Sequence, residues 1–169
     1  MSSRPIRKKI FISVNSILSK CTFTSDLVKL RLMESHCLPI LTYAVESLNI
    51  PQPQIIELNS WWNSVYRKIF NYHKWESVRL LIFMLGRLDL LHIINLKTLT
   101  FLTKVYNETS TPDIFRNYFE KIYNVSKEYA TLFQKYNCYG CSNHTAIKFR
   151  IHEEFKTSLS SSLTPPVSC

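Results

Sequence analysis

The stretch MESHCLPILTYAVESLNIPQPQIIELNSWWNSVYRKIF, residues 33–70, decides the fold of this chain of 169 residues. On each side of Pro51 and Pro53, apolar residues recur at spacings of three and four, the period of an amphipathic helix. The prolines end one helix and open the next, because proline is tolerated in the first turn of a helix but not in its interior. We therefore predict two helices, over about 26–48 and 53–71, that form an antiparallel pair. Their apolar stripes should meet along Leu30, Cys37, Leu41 and Ala44 on one helix and Leu58, Trp62, Val65 and Ile69 on the other.

Pro39 lies inside the first of these helices. A proline in a helix interior removes one backbone hydrogen bond and crowds the carbonyl four residues earlier, at Ser35. We predict either a kink near residues 35–39 or two abutting helices there.

The rest of the chain is helical in pattern as well. Its two glycines, Gly86 and Gly140, and its high content of Leu, Ile, Lys and Asn leave few turn signals for a sandwich or a barrel. The expected class is all-α, an irregular bundle of about six to eight helices. Further helices are predicted over residues 7–20, 76–85, 89–106, 111–123, 126–136 and 145–157.

We predict four parts along the chain. Residues 1–6 are predicted to be a basic disordered arm, residues 7–107 a helical domain, and residues 108–157 a C-terminal helical extension. The sequence LSSSLTPPVSC that follows Ser158 has no apolar periodicity. We therefore predict a short disordered tail over residues 158–169.

The formal net charge is +9. A surplus of this sign suggests nucleic acid or, less often, an anionic membrane surface as the partner, although positive charge also serves solubility alone. Five cysteines, an odd number, and the lack of a secretory signal indicate a reducing, intracellular environment, cytoplasmic or nuclear. The longest apolar stretch, residues 80–85, is closed by Gly86 and Arg87 and falls well short of the roughly 20 residues of a membrane span.

An ordered set of residues runs from the first predicted helix of the pair to the end of the second. It consists of Cys37, Pro39, Leu41, Tyr43, Glu46, Arg67, Lys68, Ile69 and Phe70. Together with the basic segment KKIFISVNSILSK at residues 8–20, this set resembles the region after the palm in non-LTR (LINE-type, jockey-like) retrotransposon reverse transcriptases. The resemblance covers about residues 7–105 and implies a helical thumb that packs along the template-primer duplex.

The same family holds two metal ions in its palm, with a Tyr-x-Asp-Asp turn. Here the three Asp, at positions 26, 89 and 113, are scattered over different predicted elements, so they give no sign of a site for two ions about 3.5 to 4 Å apart. The resemblance therefore implies a fragment of an RNA-directed DNA polymerase, from a truncated or decayed element, that is inactive as an isolated chain and binds RNA or an RNA–DNA duplex without specificity. The alternative is a helical protein–protein interaction module. Salt distinguishes the two, because binding through phosphates weakens steeply as salt rises.

Contacts with a nucleic-acid backbone require Lys or Arg on exposed helix faces. The residues that the thumb resemblance and their positions favour are Lys8, Lys9, Arg67, Lys68, Arg79 and Arg87. For each of them the alternative is an ordinary solvated helix face.

One cluster has the residue types of a zinc site, namely Cys138, Cys141, His144 and His152. A Cys-x-x-Cys turn suits Zn²⁺, which prefers sulfur and nitrogen ligands in tetrahedral geometry, and many LINE-type reverse transcriptases carry a Cys-Cys-His-Cys knuckle near the C-terminus. The spacing departs from that pattern, because His144 follows too soon and His152 stands where a Cys is expected. The alternative is a loop with two reduced thiols, and no other cofactor is expected.

Other aromatic, cysteine and histidine residues have structural interpretations. The pair Trp61-Trp62 has the chemistry to stack on bases, but Trp62 belongs to the apolar stripe and is predicted to lie in the core, with Trp61 at its margin. Cys37 is predicted to be a buried helix residue rather than a nucleophile. Surface or half-buried positions are predicted for His36, His73 and His92.

Overall fold

The computed structural model of the protein describes residues 4–43, 51–107, 127–138, 140–141 and 143–163. Helices are the only regular secondary structure among these residues, which confirms the all-α class. The predicted helix over residues 111–123 and Ala44 of the first predicted stripe lie outside the described residues. The helices are α1 (Arg4–Lys20), α2 (Asp26–His36), α3 (Leu38–Leu41), α4 (Gln52–Phe70), α5 (Arg79–Met84), α6 (Leu90–Asn107), α7 (Lys127–Lys135) and α8 (His144–Leu163). The prediction of a disordered arm was wrong for residues 4–6, because α1 begins at Arg4.

The chain divides into two compact units, Met1–Leu91 and His92–Cys169. The division falls near the start of α6, whereas the first helical domain was predicted to end at residue 107. Composition marks domain boundaries where polar or Pro-rich linkers occur, and a division inside a helix leaves no such mark.

Pro39 produces the second of the two predicted geometries, a pair of abutting helices. α2 ends at His36, and α3 begins at Leu38 with the proline in its first turn. Cys37 between them keeps right-handed helical angles, with φ −91° and ψ −35°. Because a first turn tolerates proline, this break avoids the crowding of the Ser35 carbonyl that one continuous helix would impose.

The first unit has its core along α4, and α2 packs against both α1 and α4. The predicted apolar stripes are buried wherever the structure describes them, with Trp62 at 0% and Leu41 at 5% exposure. This burial confirms the predicted stripes over the residues that the structure describes. The buried apolar residues between the start of α1 and the end of α4 include Ile10, Val14, Leu30, Met33, Cys37, Leu41, Ile55, Leu58, Trp62, Val65 and Ile69.

Three helices end in a residue with a left-handed backbone. Gly86 ends α5 as predicted, with φ 66°, and Asn71 and Asn137 take the same role after α4 and α7. In each case the N–H of the next residue bonds back to a carbonyl five residues earlier, as in Arg87 to Ile82 at 3.0 Å. This pattern is the Schellman motif, which satisfies carbonyls at the helix end.

α5 is shorter than predicted, because it begins at Arg79 rather than at residue 76. The Glu76 carboxylate instead accepts a hydrogen bond from the backbone N–H of His73, and the Glu76 N–H donates to the His73 carbonyl at 3.1 Å. These bonds close a turn and so compete with helix formation, as local side-chain bonds to the backbone do.

α8 corrects the predicted tail, since the helix runs to Leu163 and residues 158–163 are helical. Buried residues recur every four positions along it, at Ile147, Ile151, Phe155 and Leu159. Serine hydroxyls in the last turns bond to carbonyls three or four residues earlier, for example Ser158 to Phe155 at 2.8 Å. The serine-rich composition concealed Leu159 as the last member of an apolar series. Residues 164–169 lie outside the described part of the chain.

Within the described ranges, no helix combines the length and the apolar character that crossing a membrane requires.

Candidate nucleic-acid interface

Two of the predicted basic residues lie on one exposed surface of the first unit. Lys68, near the end of α4, places its Nζ 5.0 Å from the ring centroid of Phe11 on α1. Lys8 stands one turn before Phe11 and is exposed. Residues three apart on a helix are neighbours on its surface, with Cβ atoms about 5–6 Å apart. The structure therefore brings together the side of α1 that carries Lys8 and the ammonium group of Lys68, and we call these two lysines the Lys8/Lys68 pair.

Arg67, although adjacent in sequence, has a different role. It is half-buried, and its Nε donates a hydrogen bond to the carbonyl of Glu76 at 2.8 Å. This bond fastens the turn after α4 to the helix itself. One N–H group of the Arg67 guanidinium is therefore engaged in a hydrogen bond within the protein and is not available to a phosphate.

Arg87 is also used within the protein. Its Nε lies 2.8 Å from Oε1 of Glu34 on α2, and both side chains are largely withdrawn from solvent. Burial raises the pKa of the Glu34 carboxyl, against the opposing effects of Arg87 and Arg31. Because its charge is matched by a carboxylate, Arg87 adds little to an anion-binding surface.

The two remaining basic candidates add less. Arg79 is the first residue of α5, is half-buried and already has an interaction partner. The side chain of Lys9 lies outside the described part of the structure. Of the six predicted basic residues, the exposed pair that the structure describes is therefore Lys8 and Lys68.

The zinc candidates separate into a buried thiol and residues on one helix. Cys138 is buried, and its Sγ lies 3.5 Å from the Tyr136 carbonyl, to which the thiol donates. Burial, and secondarily the neighbouring Cys141, raises the pKa of the Cys138 thiol to about 11. A high pKa opposes metal binding, because the thiolate is the form that binds a metal.

The histidines of this cluster are not gathered around the thiols. His144 is the exposed first residue of α8, and His152 is half-buried farther along the same helix. Burial, with the charges of Lys148 and His92, lowers the pKa of His152. In the described ranges, no three His, Cys, Asp or Glu residues are grouped so that they could hold a metal ion. Cys138 and Cys141 are free cysteines, the first buried and the second half-buried.

The tryptophans differ sharply in accessibility. Trp62 is 0% exposed, and its ring meets Tyr66 edge to face with centroids 6.1 Å apart. It cannot stack on a base, which confirms its predicted place in the core. Trp75, which the sequence patterns did not single out, is 82% exposed and lies in the turn between α4 and α5. Only its position outside every apolar stripe pointed to this exposure.

The histidine prediction holds for His36 and His73, which are exposed, but is wrong for His92. His92 is 3% exposed, with its Nε2 3.2 Å from Oε2 of Glu154 and its ring 4.7 Å from that of Phe155. The carboxylate is far away in sequence, so no local pattern revealed that it satisfies a buried imidazole.

The two aspartates in the described part of the chain lie in different places. Asp26 begins α2 and accepts a hydrogen bond from Lys29 at 2.9 Å, and Asp89 is buried just before α6. Asp113 lies outside the described residues.

Comparison of the chain with models of protein families, with curated proteins and with solved structures finds no match.

Proposed function

We propose that this chain binds RNA or an RNA–DNA duplex through its phosphates, without sequence preference, as the thumb-like region of a non-LTR reverse transcriptase. The observation that carries the proposal is the exposed Lys8/Lys68 pair on two neighbouring helices of a chain with a net charge of +9. The reverse transcriptase origin rests on the residues shared with that family between Cys37 and Phe70.

Phosphate binding by such a surface follows from elementary electrostatics. Each lysine that neutralises a phosphate releases condensed counterions, and this entropy gain provides affinity without reading the bases. A lysine is a compact charge on a flexible stem. Two lysines on adjacent helices can therefore adjust their reach and contact two phosphates over a range of distances. The expected Kd at physiological salt is about 10⁻⁴ to 10⁻⁶ M, the range of non-specific association.

The binding test compares two double variants with the same change of charge. Lys8→Glu with Lys68→Glu removes the proposed contacts, whereas Lys104→Glu with Lys156→Glu alters exposed lysines of α6 and α8. We expect the first variant to bind a labelled RNA–DNA duplex more weakly than the second. Its salt slope should flatten by about one unit per lost phosphate contact. Circular dichroism should show unchanged helicity, because both lysines lie outside the buried stripes.

Two results would contradict the proposal. If the Lys8/Lys68 variant binds the duplex as tightly as the wild type, these two lysines are ordinary solvated residues that do not contact phosphate. An equal loss in both variants would show that net charge alone, and not this surface, attracts the duplex. Arg67 is left intact in this design, because its bond to Glu76 makes it part of the turn.

The proposed function includes no catalysis by the chain alone. Two-metal nucleotidyl transfer requires converging carboxylates, and Asp26 and Asp89 occupy separate structural positions. With template, primer, Mg²⁺ and nucleotides, the purified chain should give no primer extension. Extension that disappears in an Asp113→Asn variant would contradict this expectation.

A second candidate function is favoured by one observation, the exposure of large apolar side chains on the first unit. They include Phe11, Ile12, Phe23, Leu27, Val28, Ile40, Tyr43 and Ile56. Exposed apolar surface of this kind is typical of protein-interaction sites when it is contiguous. A protein complex formed through it should persist at high salt, in contrast to the duplex complex.

A further inference from the structure

The turn after α4 presents aromatic rings to solvent on a backbone held by hydrogen bonds. It comprises residues 71–76, Asn-Tyr-His-Lys-Trp-Glu, and we call it the aromatic turn. Trp75 is 82% exposed, Tyr72 is 39% exposed, and His73 and Lys74 are exposed as well. An indole buries a large apolar area when it binds a partner. Covering the exposed Trp75 ring would therefore contribute favourable free energy to binding.

Hydrogen bonds at both ends hold the aromatic turn. At its start, the left-handed Asn71 lets the Tyr72 N–H reach the Arg67 carbonyl at 3.0 Å. At its end, Arg67 Nε donates to the Glu76 carbonyl at 2.8 Å. One arginine of α4 thus contacts both ends through its main chain and its side chain. A backbone held in this way loses little conformational freedom when a ligand binds.

Inside the aromatic turn, one face of Trp75 is already supported. The rings of His73 and Trp75 are parallel, with centroids 5.0 Å apart, within the range of favourable ring stacking. Since the indole nevertheless remains 82% exposed, its other face is open. A second flat ring laid on that face would extend an existing stack.

We propose that the aromatic turn binds an unpaired base of single-stranded nucleic acid, with Trp75 stacking on the base and Lys74 contacting a neighbouring phosphate. Charge selects this occupant. Arg67 and Lys74 contribute positive charge at the turn, and the carboxylate of Glu76 accepts a hydrogen bond from the backbone N–H of His73. Four of the six residues in the turn are polar or charged, which suits a wet, anionic strand better than a lipid surface or an apolar protein groove.

This inference rests on the proposed nucleic-acid partner but uses residues other than the Lys8/Lys68 pair. The probes are a labelled oligouridine of about eight nucleotides, within the site sizes of single-strand binders, and an abasic strand of the same length. The variants are Trp75→Ala, Trp75→Phe, which keeps a ring, and the control Phe149→Ala, which removes another exposed ring, on α8.

Trp75→Ala should weaken oligouridine binding about 5- to 150-fold, the range found when one base loses its aromatic partner. Trp75→Phe should retain most of the affinity, and Phe149→Ala all of it. The wild type should bind the abasic strand more weakly than oligouridine, and Trp75→Ala should remove that preference. Affinity for the RNA–DNA duplex should stay the same in all three variants.

Several outcomes would overturn the inference, and they separate it from the proposed function. Equal oligouridine affinity in the wild type and Trp75→Ala, with duplex binding intact, would refute base stacking alone. Absence of binding to both oligouridine and duplex would refute both proposals. If Trp75→Ala instead loses binding to vesicles of phosphatidylserine and phosphatidylcholine, with oligouridine unaffected, the turn is a membrane contact.

Discussion

Trp62 and Trp75 lie in the same compact unit and have opposite environments. Trp62 belongs to α4, a helix whose inward-facing stripe is buried, and Trp75 belongs to the aromatic turn that follows. Apolar burial holds α4, so the large side chains of its inward stripe face the core. Polar bonds involving Arg67 and Glu76 hold the turn, so its rings are free to face solvent. Where polar bonds fix the backbone, aromatic side chains become available for binding.

The largest effect should come from removing the two indoles one at a time. Trp62→Ala leaves a cavity in a close-packed core and should cost about 3–5 kcal/mol of unfolding free energy. Trp75→Ala removes no buried contact and should stay within about 0.5 kcal/mol of the wild type. Urea denaturation followed by circular dichroism measures both. Equal losses would show that the aromatic turn is part of the core, and the contrast drawn above would fail.

A smaller effect should come from the residue that joins α4 to the aromatic turn. Asn71 has φ 57°, a left-handed conformation that costs most residues roughly 1–2 kcal/mol. Asn71→Ala should therefore destabilise by about 1–2 kcal/mol, whereas Asn71→Gly should be nearly neutral because glycine adopts this conformation freely. Thermal or urea unfolding of the two variants measures the difference. Identical stabilities would mean that the turn does not depend on this backbone geometry.

A third prediction concerns pH and the second unit. Burial raises the pKa of Cys138 to about 11, whereas an unfolded thiol ionises near pH 8.5. The unfolded chain therefore releases this proton first as pH rises, so the contribution of Cys138 is complete below about pH 8.5 and is lost progressively towards pH 11.

Cys138→Ala tests this assignment by removing the titrating group. The variant should start from a lower stability at pH 8 but lose less of it between pH 8.5 and 11 than the wild type. Burial also raises the pKa values of Cys37 and Tyr66. Both residues are present in the wild type and the variant, so they contribute equally to the pH dependence of stability in the two proteins. Parallel stability curves for wild type and variant would show that Cys138 does not control this pH dependence.

The sequence predicted those parts of the fold that depend on local periodicity. The stripe of α4, the break at Pro39 and the helix end at Gly86 follow from side chains close together in the chain. The start of α5 was missed because Glu76 bonds to the backbone of the preceding turn instead of entering the helix. The end of α8 was missed because serines conceal Leu159 as part of its buried face.

The candidate site was less predictable, because it depends on contacts between distant residues. Sequence position alone could not distinguish Lys68, which lies exposed over Phe11, from Arg87, which pairs with Glu34. The exposure of Trp75 was only weakly indicated, by its position outside the apolar stripes, since a large aromatic residue is usually assigned to a core. What reveals it is the set of polar bonds that fix the aromatic turn without burying its rings.

The most direct test of the central claim is the salt dependence of RNA–DNA duplex binding by the wild-type chain. If Lys8 and Lys68 each neutralise one phosphate, the plot of log Kobs against log salt should have a slope of about −1.8 or steeper, since each contact contributes about −0.9 on a duplex. Affinity at physiological salt should fall between about 10⁻⁴ and 10⁻⁶ M. A flat salt dependence, or no binding at low salt, would contradict phosphate recognition by this surface.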